Sequence, residues 1–417
     1  MPILLPEDMQ FPLPKMHSVR QIFPRQRLDD IEAAVREQLS KSEIRAKIKP
    51  GASVAVAVGS RGIQNLPLIV KSALACIRAA GGKPFIVPAM GSHGGGTEHG
   101  QRKLLAGYGI REDAMGAPIV SSMDVVNLGK TSRGLDVCFD SAAMQADLVV
   151  PINRIKIHTD FSADIQSGLC KMLVIGLGNH VGCTAMHERG FEALGEALPE
   201  AAEIVLRKTL VGFGIALVEN AYDETALVEA VPSERLVERE KELLKISLAN
   251  MPTLMLPEID VLVVEEIGKN ISGAGFDPNI LGKSHTLKTF ALPVPRISRM
   301  VLNNVSEQSH GNALGMGAFD VITRKVFDKL DLEAIYANAI ASKCTDDAKI
   351  PIIADDEEQA LRVAIKILSG VDKGNLKIVK IKNTLELEKI EVSDALLPHV
   401  RARERAHEQL ALFGGDG

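Results

Sequence analysis

The chain has 417 residues, of which 46% are hydrophobic but only 4% aromatic, with no Trp. A core of aliphatic side chains is typical of parallel sheets covered by helices, and a chain of this length usually forms two domains. The net charge of −5 argues against nucleic acid as a partner.

The N-terminal stretch MPILLPEDMQFPLP is interrupted by prolines and acidic residues and lacks the basic-then-apolar order of a signal peptide. No apolar run approaches the length that a membrane span needs. The five cysteines are odd in number and have no CxxC spacing, which argues against a disulfide framework and against a zinc ribbon. We therefore expect a cytoplasmic protein with no membrane partner.

The first half of the chain alternates short aliphatic runs with helical patterns. Ser53–Val58 is predicted to be a buried strand, and Leu66–Ala80 a helix that stops at two glycines. Pro84–Pro88 and Asp147–Ile152 are predicted to be further strands. This βαβ order predicts a parallel sheet that collects ligand-binding groups at the carboxyl ends of its strands.

A hairpin and a possible linker follow. Val211–Val231 is predicted to form two strands around a polar turn at Asn220–Glu224, and Ser233–Leu248 a helix. The next stretch, LANMPTLMLPEI, contains two prolines and is the candidate linker. A second α/β unit begins at Asp260–Glu265; its further predicted elements are Arg296–Asn303, a helix at Asp356–Leu368, a strand at Leu376–Ile381 and a last helix from about Ser393 to Leu412.

These elements predict an α/β fold of two domains with mainly parallel sheets. Residues 1–250 would form the N-terminal α/β domain and residues 258–390 the C-terminal one, with 391–417 as a helix that packs on either domain.

The stretch MGSHGGGTEHG follows the second predicted strand directly. Thr97 and Glu98 are good first residues for a helix, so Gly94, Gly95 and Gly96 would lead the chain to the positive end of that helix. The stretch lacks the Lys-Ser/Thr of a P-loop, and the dinucleotide pattern G-x-G-x-x-G is absent. Its glycines fit an ordinary turn or an anion cradle, and His93 before them fits a loop residue or a base.

Residues 147–190 hold three of the ten histidines of the chain, together with two lysines: His158, His180, His187, Lys156 and Lys171. The surrounding sequence is rich in glycine and aliphatic residues. Lys171 lies in SGLCKMLVIGLG, where apolar neighbours could keep its amine neutral and nucleophilic. A lysine whose ammonium group reaches the surface explains the same pattern equally well.

Four segments in order resemble the nickel-pincer lactate racemase family and its 2-hydroxy-acid racemase and epimerase relatives: SRGIQN, GSHGGGTE, NRIKIHTDF and SGLCKMLVIGLG. The resemblance covers about residues 50–190. It implies an isomerase that transfers hydride from a small 2-hydroxy carboxylate to a nickel pincer nucleotide. It also implies an active site in the cleft between two domains, and cofactor-synthesis enzymes as transient partners.

The resemblance assigns the cofactor to specific residues. Lys171 matches the lysine that carries the nucleotide covalently, and Gly94, Gly95 and Gly96 would bring backbone amides close to an anion. His187 matches the nickel ligand. His180 is its rival, but it lies in GLGNHVG, which resembles a simple turn.

The resemblance also assigns catalytic and substrate contacts. His93 and His158 match the pair of acid/base histidines, and Arg61 matches the arginine that holds the substrate carboxylate. The acidic residue of the family pattern Asp-x-x-Arg is missing, because Val58 stands three positions before Arg61. We therefore expect a substrate with a longer or more polar tail than lactate.

The second domain offers weaker candidates. Two loops dense in glycine and asparagine, Gly268–Asn279 and His310–Asp320, follow predicted strands and contain Lys269, Asn270 and His310. Two other functions remain open. One is an NAD-type dehydrogenase, which the βαβ order favours and the missing glycine fingerprint disfavours. The other is a homologue that binds an anion or cofactor without catalysis.

Overall fold

The structure is a computed structural model that describes residues 3–59, 62–188, 190–405 and 410–412. The chain divides into two compact units. The first unit is Arg25–Met251, and the second unit combines Met1–Pro24 with Pro252–Gly417. Both are built on mainly parallel sheets, so the predicted α/β class is confirmed.

The described strands are, in chain order, β1 Met16–Gln21, β2 Ser53–Val58, β3 Lys83–Pro88, β4 Val125–Lys130, β5 Asp136–Asp140, β6 Leu148–Arg154, β7 Phe213–Glu219, β8 Thr225–Pro232, β9 Glu258–Val264, β10 Arg296–Leu302, β11 Val321–Thr323, β12 Ile352–Ala354, β13 Ile378–Ile381, β14 Lys389–Ser393 and β15 Leu410–Leu412. The described α-helices are α1 Pro6–Gln10, α2 Ile31–Ser40, α3 Ser42–Arg45, α4 Leu66–Ala79, α5 Glu98–Gly107, α6 Glu112–Met115, α7 Ser141–Met144, α8 Leu169–Lys171, α9 Asn179–His187, α10 Gly190–Lys208, α11 Leu236–Ala249, α12 Pro278–Leu281, α13 Arg324–Phe327, α14 Leu332–Ser342, α15 Glu357–Lys366 and α16 Leu397–Arg405.

The sheet of the first unit has the order β3-β2-β6-β7-β8, in which only β8 runs antiparallel to its neighbour. Strand β2 is buried on both faces, as its continuous aliphatic sequence requires. Val54, Val56 and Val58 on one face join a core with the apolar stripe of α4, which recurs at helical spacing from Leu66 to Ile77.

Because β2, β3 and β6 run parallel, the connections that follow these three strands leave the sheet at the same end. Strand β2 lies between β3 and β6, and all three are parallel. The chain therefore leaves β3 on one side of β2 and leaves β6 on the other. A parallel α/β sheet binds its ligands at such a switch point, beyond the carboxyl ends of the strands. The stretches that begin at Ala89 and Ile155 both start there.

The second unit holds an eight-stranded sheet of order β12-β11-β10-β9-β13-β14-β1-β15. The strands from β12 to β13 are parallel to their neighbours, and the pairs β13–β14, β14–β1 and β1–β15 are antiparallel. Valines of β9, β10 and β11 form its core with one face of α15.

The two ends of the chain differ from their predicted structure. Residues 16–21 form a strand of the second unit, paired with residues 389–393, although the sequence placed residues 1–24 with the N-terminal domain. The last predicted helix, from Ser393 to Leu412, is shorter. Its α-helix is Leu397–Arg405, and Leu410–Leu412 pairs with β1 as a strand.

No single helix in the described part of the chain is long and apolar enough to cross a membrane. One pair, Leu169–Gly176 and Asn179–His187, passes that test jointly by length and composition, with a bend of 106° between its halves. All five cysteines lie in the described part of the chain and are free.

Candidate active site

The glycine turn after β3 is left-handed throughout. Gly94, Gly95 and Gly96 have φ values of 68°, 68° and 61°, which residues other than glycine rarely adopt. A Cβ on Gly94 would lie 2.6 Å from the carbonyl carbon of Gly100 in the first turn of α5. Thr97 caps that helix, because its hydroxyl oxygen accepts a hydrogen bond from the Gly100 amide at 3.1 Å. The predicted helix start is therefore confirmed.

The stretch before this turn packs against residues 172–183. The Gly91 amide donates to the Gly176 carbonyl at 3.0 Å, and the Ser92 hydroxyl lies 3.6 Å from the Cys183 thiol. His93, next in the chain, is exposed and accepts a backbone hydrogen bond from Gly96. The connection after β3 thus lies against the segment that carries Lys171.

That segment is an unusual helix. One α-helical turn, Leu169–Lys171, continues into the π-helical turn Met172–Gly176, and the π turn is buried. π-Helical turns are frequent at functional sites. The glycines let it pack tightly, since a Cβ on Gly176 would lie 2.6 Å from the Ala89 carbonyl oxygen. Lys171 is half-buried at the junction of the two turns.

His158 and Lys171 are in direct contact. The Nε2 of His158 lies 2.5 Å from the Nζ of Lys171. The imidazole is only 10% exposed and stacks on Phe161 with ring centroids 4.3 Å apart. The sequence placed both residues in the site but gave no indication of this contact.

The hydrogen bond on the other ring nitrogen decides which tautomer fits. The backbone amide of Asp160 donates to His158 Nδ1 at 3.0 Å, so Nδ1 acts as an acceptor. In a neutral imidazole the proton is then on Nε2, which faces Lys171. An Nε2–H donor requires a lone pair on the lysine nitrogen. The geometry therefore favours a neutral amine, the form that acts as a nucleophile.

His187 lies at the end of α9, close to the same groups. Its Nδ1 donates to the Cys183 carbonyl at 2.7 Å, one helical turn earlier. With the proton of the neutral ring on Nδ1, the lone pair of Nε2 is available to a metal. Phe191 links the two histidines, because its ring lies 5.6 Å from that of His187 and 6.0 Å from that of His158.

Cys183 and His187 shift one another's protonation. Burial opposes the charged form of each group, but their Sγ–Nδ1 contact at 3.7 Å outweighs it. The pKa of the Cys183 thiol is lowered and the pKa of His187 is raised. When Lys171 is protonated, its positive charge acts in the opposite sense and lowers the pKa of His187. Cys183 is thus a polar neighbour of the site that the sequence analysis did not identify.

His180, the rival nickel ligand, lies elsewhere on α9. It is exposed, and its ring packs against the glycine turn, where a Cβ on Gly96 would lie 3.2 Å from its Cγ. Arg61 lies outside the described residues. Gly59, the last described residue before it, would place a Cβ 3.1 Å from Met172 Cε, so the connection after β2 also approaches the Lys171 segment.

Beneath this segment lies a buried acid that the sequence did not indicate. Glu240 on α11 is 1% exposed, and its Oε2 accepts a hydrogen bond from the Cys170 amide at 2.9 Å. Burial raises its pKa to about 7, although hydrogen bonds from the Cys170 and Leu169 amides favour the carboxylate. In the sequence it is one of several acids in LVEREKELLK, so composition could not single it out.

The candidate residues of the second unit, Lys269, Asn270 and His310, lie on two loops that contact each other. The loops follow β9 and β10, neighbouring parallel strands. The Lys269 amide donates to Ser309 Oγ at 3.0 Å, and the Ser306 hydroxyl donates to Asn270 Oδ1 at 2.5 Å. Lys269 Nζ donates to the Gly273 carbonyl at 2.6 Å. His310 is exposed in a left-handed conformation. These polar residues therefore shape the loops themselves.

The chain is similar to known proteins in part of its sequence and in its fold. Residues 7–197 match the family of lactate racemase N-terminal domains, a range that contains His93, His158, Lys171 and His187. Among solved structures, the lactate racemase apoprotein from Thermoanaerobacterium thermosaccharolyticum aligns with a TM-score of 0.52 and 13% identity. The alignment covers 89% of this chain and 99% of that chain, which shows a shared fold. A search of curated proteins found no significant match.

Proposed function

Residues 7–197 belong to the lactate racemase N-terminal domain family, and from that premise we propose that the protein is a racemase or epimerase of a 2-hydroxy carboxylate. The observation that carries the proposal is the contact between His158 Nε2 and Lys171 Nζ, with His187 close by. A nucleophilic amine, an acid/base imidazole and a metal-binding imidazole form one cluster in the first unit.

The side chains fit the nickel pincer nucleotide of this family. Covalent attachment needs a neutral amine, and the tautomer of His158 favours one on Lys171. Nickel needs an imidazole lone pair, and the bond from Nδ1 to the Cys183 carbonyl leaves that of His187 Nε2. Lys171 would therefore anchor the nucleotide, and His187 would bind its metal.

When bound, this group supplies an acceptor for the C2 hydrogen as hydride. The chain must then handle the proton of the substrate hydroxyl. Removing the C2 hydrogen as a proton would leave a carbanion beside a carboxylate. Removing it as hydride would leave a planar keto acid, which can take hydride back on either face. A different imidazole must accept the hydroxyl proton of each enantiomer. We assign these two roles to Nε2 of His158 and to the imidazole of His93.

Asp160 supports His158 in this role. To accept a proton at Nε2, the imidazole must carry its other proton on Nδ1, and that nitrogen then needs an acceptor. The Asp160 carboxylate would provide one after a small movement, since its Oδ2 lies 3.6 Å from Nδ1, which is longer than a hydrogen bond. The same residue thus offers an amide to one tautomer and a carboxylate to the other. We propose Asp160 as a positioning residue for the base.

The substrate differs from lactate in this proposal. Arg61 would hold its carboxylate, but Val58 replaces the acidic partner found three positions earlier in the family pattern. We expect a longer or more polar tail.

The experiment uses protein made together with the cofactor-synthesis enzymes and a panel of 2-hydroxy acids from lactate and malate to aldonates, each deuterated at C2. Hydride transfer predicts inversion with the deuterium retained on carbon in ordinary water, measured by NMR. Loss of the label to solvent would indicate carbanion chemistry. Oxidation that depends on added NAD would favour a dehydrogenase. No reaction of loaded protein with the panel would favour a binding homologue.

A further inference from the structure

A second cluster of metal-binding side chains lies in the second unit. His285, Cys344 and Asp347 each offer one ligand atom, and the three atoms lie within 4.8 Å of one another. They come from three segments: the loop after α12, the residues after α14, and the short 3-10 helix Asp346–Ala348. His285 Nδ1 is 2.7 Å from Asp347 Oδ1.

The backbone fixes two of the three ligands. The Cys344 amide donates to the Ala339 carbonyl at 3.1 Å, which closes α14 after the left-handed Lys343. The Asp347 carbonyl accepts a hydrogen bond from the Gly315 amide at 3.0 Å. Gly317 packs so closely on this turn that a Cβ there would lie 1.9 Å from the Asp346 carbonyl oxygen. A ligand set held by backbone contacts loses little entropy on binding.

The third ligand is able to adjust. His285 is exposed in an irregular stretch between α12 and β10, while Cys344 and Asp347 are 7% and 9% exposed. The cluster thus has two buried ligands and one imidazole at the surface, a layout that leaves a route for an ion and a coordination position for water.

The thiol of the cluster is held protonated when no ion is bound. Burial raises the pKa of Cys344 to about 11, and the nearby charge of Asp347 adds to the effect. The hydrogen bond to Asp347 raises the pKa of His285. A thiol held protonated in this way is a poor nucleophile, which argues against a catalytic cysteine.

We propose that His285, Cys344 and Asp347 bind one divalent transition metal ion of the zinc type. A thiolate, an imidazole and a carboxylate form a ligand set that zinc prefers, with water as the fourth ligand, and calcium and magnesium prefer oxygen ligands only. On binding, Cys344 loses its thiol proton to solvent as the metal–sulfur bond forms, and no electron is transferred. The three ligands belong to the second unit, whereas His93, His158, Lys171 and His187 belong to the first.

Cobalt(II) is the probe, because a thiolate ligand gives it an intense charge-transfer absorption in the near ultraviolet. The protein used is the full chain with the substitutions Cys183→Ser and His187→Ala. These two substitutions remove the cysteine–histidine pair of the first unit, which could otherwise bind cobalt. A chelator removes any metal before the titration. We expect one equivalent of cobalt to produce the absorption, with release of protons, and zinc to displace it. Failure of the absorption to appear would overturn the proposal.

Variants locate the ion. Cys344→Ser should abolish the charge-transfer absorption, and Cys76→Ser, a half-buried cysteine outside the cluster, should leave it intact. His285→Ala removes an exposed side chain, so its fold should persist while cobalt binds at least about tenfold more weakly. An absorption that survives both Cys344→Ser and His285→Ala would assign the ion to another site and refute ours.

Discussion

The Nε2 of His158 lies 2.5 Å from the Nζ of Lys171, although the two residues are 13 positions apart in the chain. His158 lies in the connection that follows β6, and Lys171 is the last residue of the short helix α8. The contact couples two proposed tasks. In the proposal, His158 would keep the amine of Lys171 neutral before the cofactor is attached and would accept the substrate proton afterwards.

The first prediction concerns attachment. Lys171→Ala should yield folded protein that never gains the mass of a nucleotide, because it removes the amine that contacts His158 Nε2. Intact-protein mass spectrometry after co-expression with the cofactor-synthesis enzymes measures this. Lys156→Ala, a half-buried lysine of the same region, is the control and should acquire the adduct. An adduct on Lys171→Ala would refute the assignment.

The second prediction separates the two candidate nickel ligands. His187→Ala should lose activity and most of its nickel, because it removes an imidazole whose Nδ1 is held by the Cys183 carbonyl. His180→Ala should retain both, since that ring is exposed against Gly96. Nickel per protein, measured by mass spectrometry of the metal, and turnover are the readouts. The reverse pattern would make His180 the ligand.

The third prediction concerns the acid/base pair. His158→Gln and His93→Gln should each lower kcat by about 10²–10⁴-fold, the usual contribution of one proton-transfer group. His99→Gln changes an exposed histidine in the same stretch as His93 and should leave kcat unchanged. Equal and small effects of His93→Gln and His99→Gln would remove His93 from the mechanism.

A fourth prediction tests the positioning role of Asp160. Asp160→Asn keeps the backbone amide that donates to His158 Nδ1 but removes the carboxylate charge 3.6 Å away. We expect kcat to fall by about 10–100-fold, as for other carboxylates behind a functional histidine, while KM stays constant. Asp164→Asn, an exposed neighbour, is the matched control. A change confined to KM would assign Asp160 to substrate binding instead.

The central strands could be predicted from the sequence because both their faces are buried. SVAVAV and PFIVP are continuous aliphatic runs bounded by turn residues, and the structure places strands there at Ser53–Val58 and Lys83–Pro88. By contrast, β1 could not be predicted. In MHSVRQ only Val19 and Gln21 are buried, so the apolar pattern of a strand is missing. Gln21 can be buried although it is polar, because its side-chain amide donates to the Leu387 and Thr253 carbonyls.

The site could be predicted only in part, for a related reason. Histidines and lysines concentrated among glycine and aliphatic residues indicated a functional region between residues 147 and 190. The contacts inside it depend on irregular backbone, such as the π-helical turn after Lys171, which leaves no periodic pattern in the sequence. Glu240 is a further example, because only the fold distinguishes it from its exposed helical neighbours.

The last prediction concerns that buried acid and the pH dependence of stability. Burial raises the pKa of Glu240 to about 7 from an ordinary value of 4.5. The folded protein therefore keeps the Glu240 proton at pH values where the unfolded chain has lost it. The free energy of unfolding should fall as pH rises from about 4.5 to about 7 and lose nothing further above that range.

Glu240→Gln tests this, because its amide oxygen can still accept from the Cys170 amide but the side chain cannot ionise. Relative to the unmodified protein, the variant should gain up to about 3 kcal/mol between pH 4.5 and pH 7. The measurement is urea unfolding at a series of pH values. The control is Glu238→Gln, on an exposed position of the same helix, whose curve should run parallel to that of the unmodified protein. If the Glu240→Gln curve is parallel as well, Glu240 is ionised in the folded state throughout this range, and the carboxylate beneath the Lys171 turn carries its charge at neutral pH.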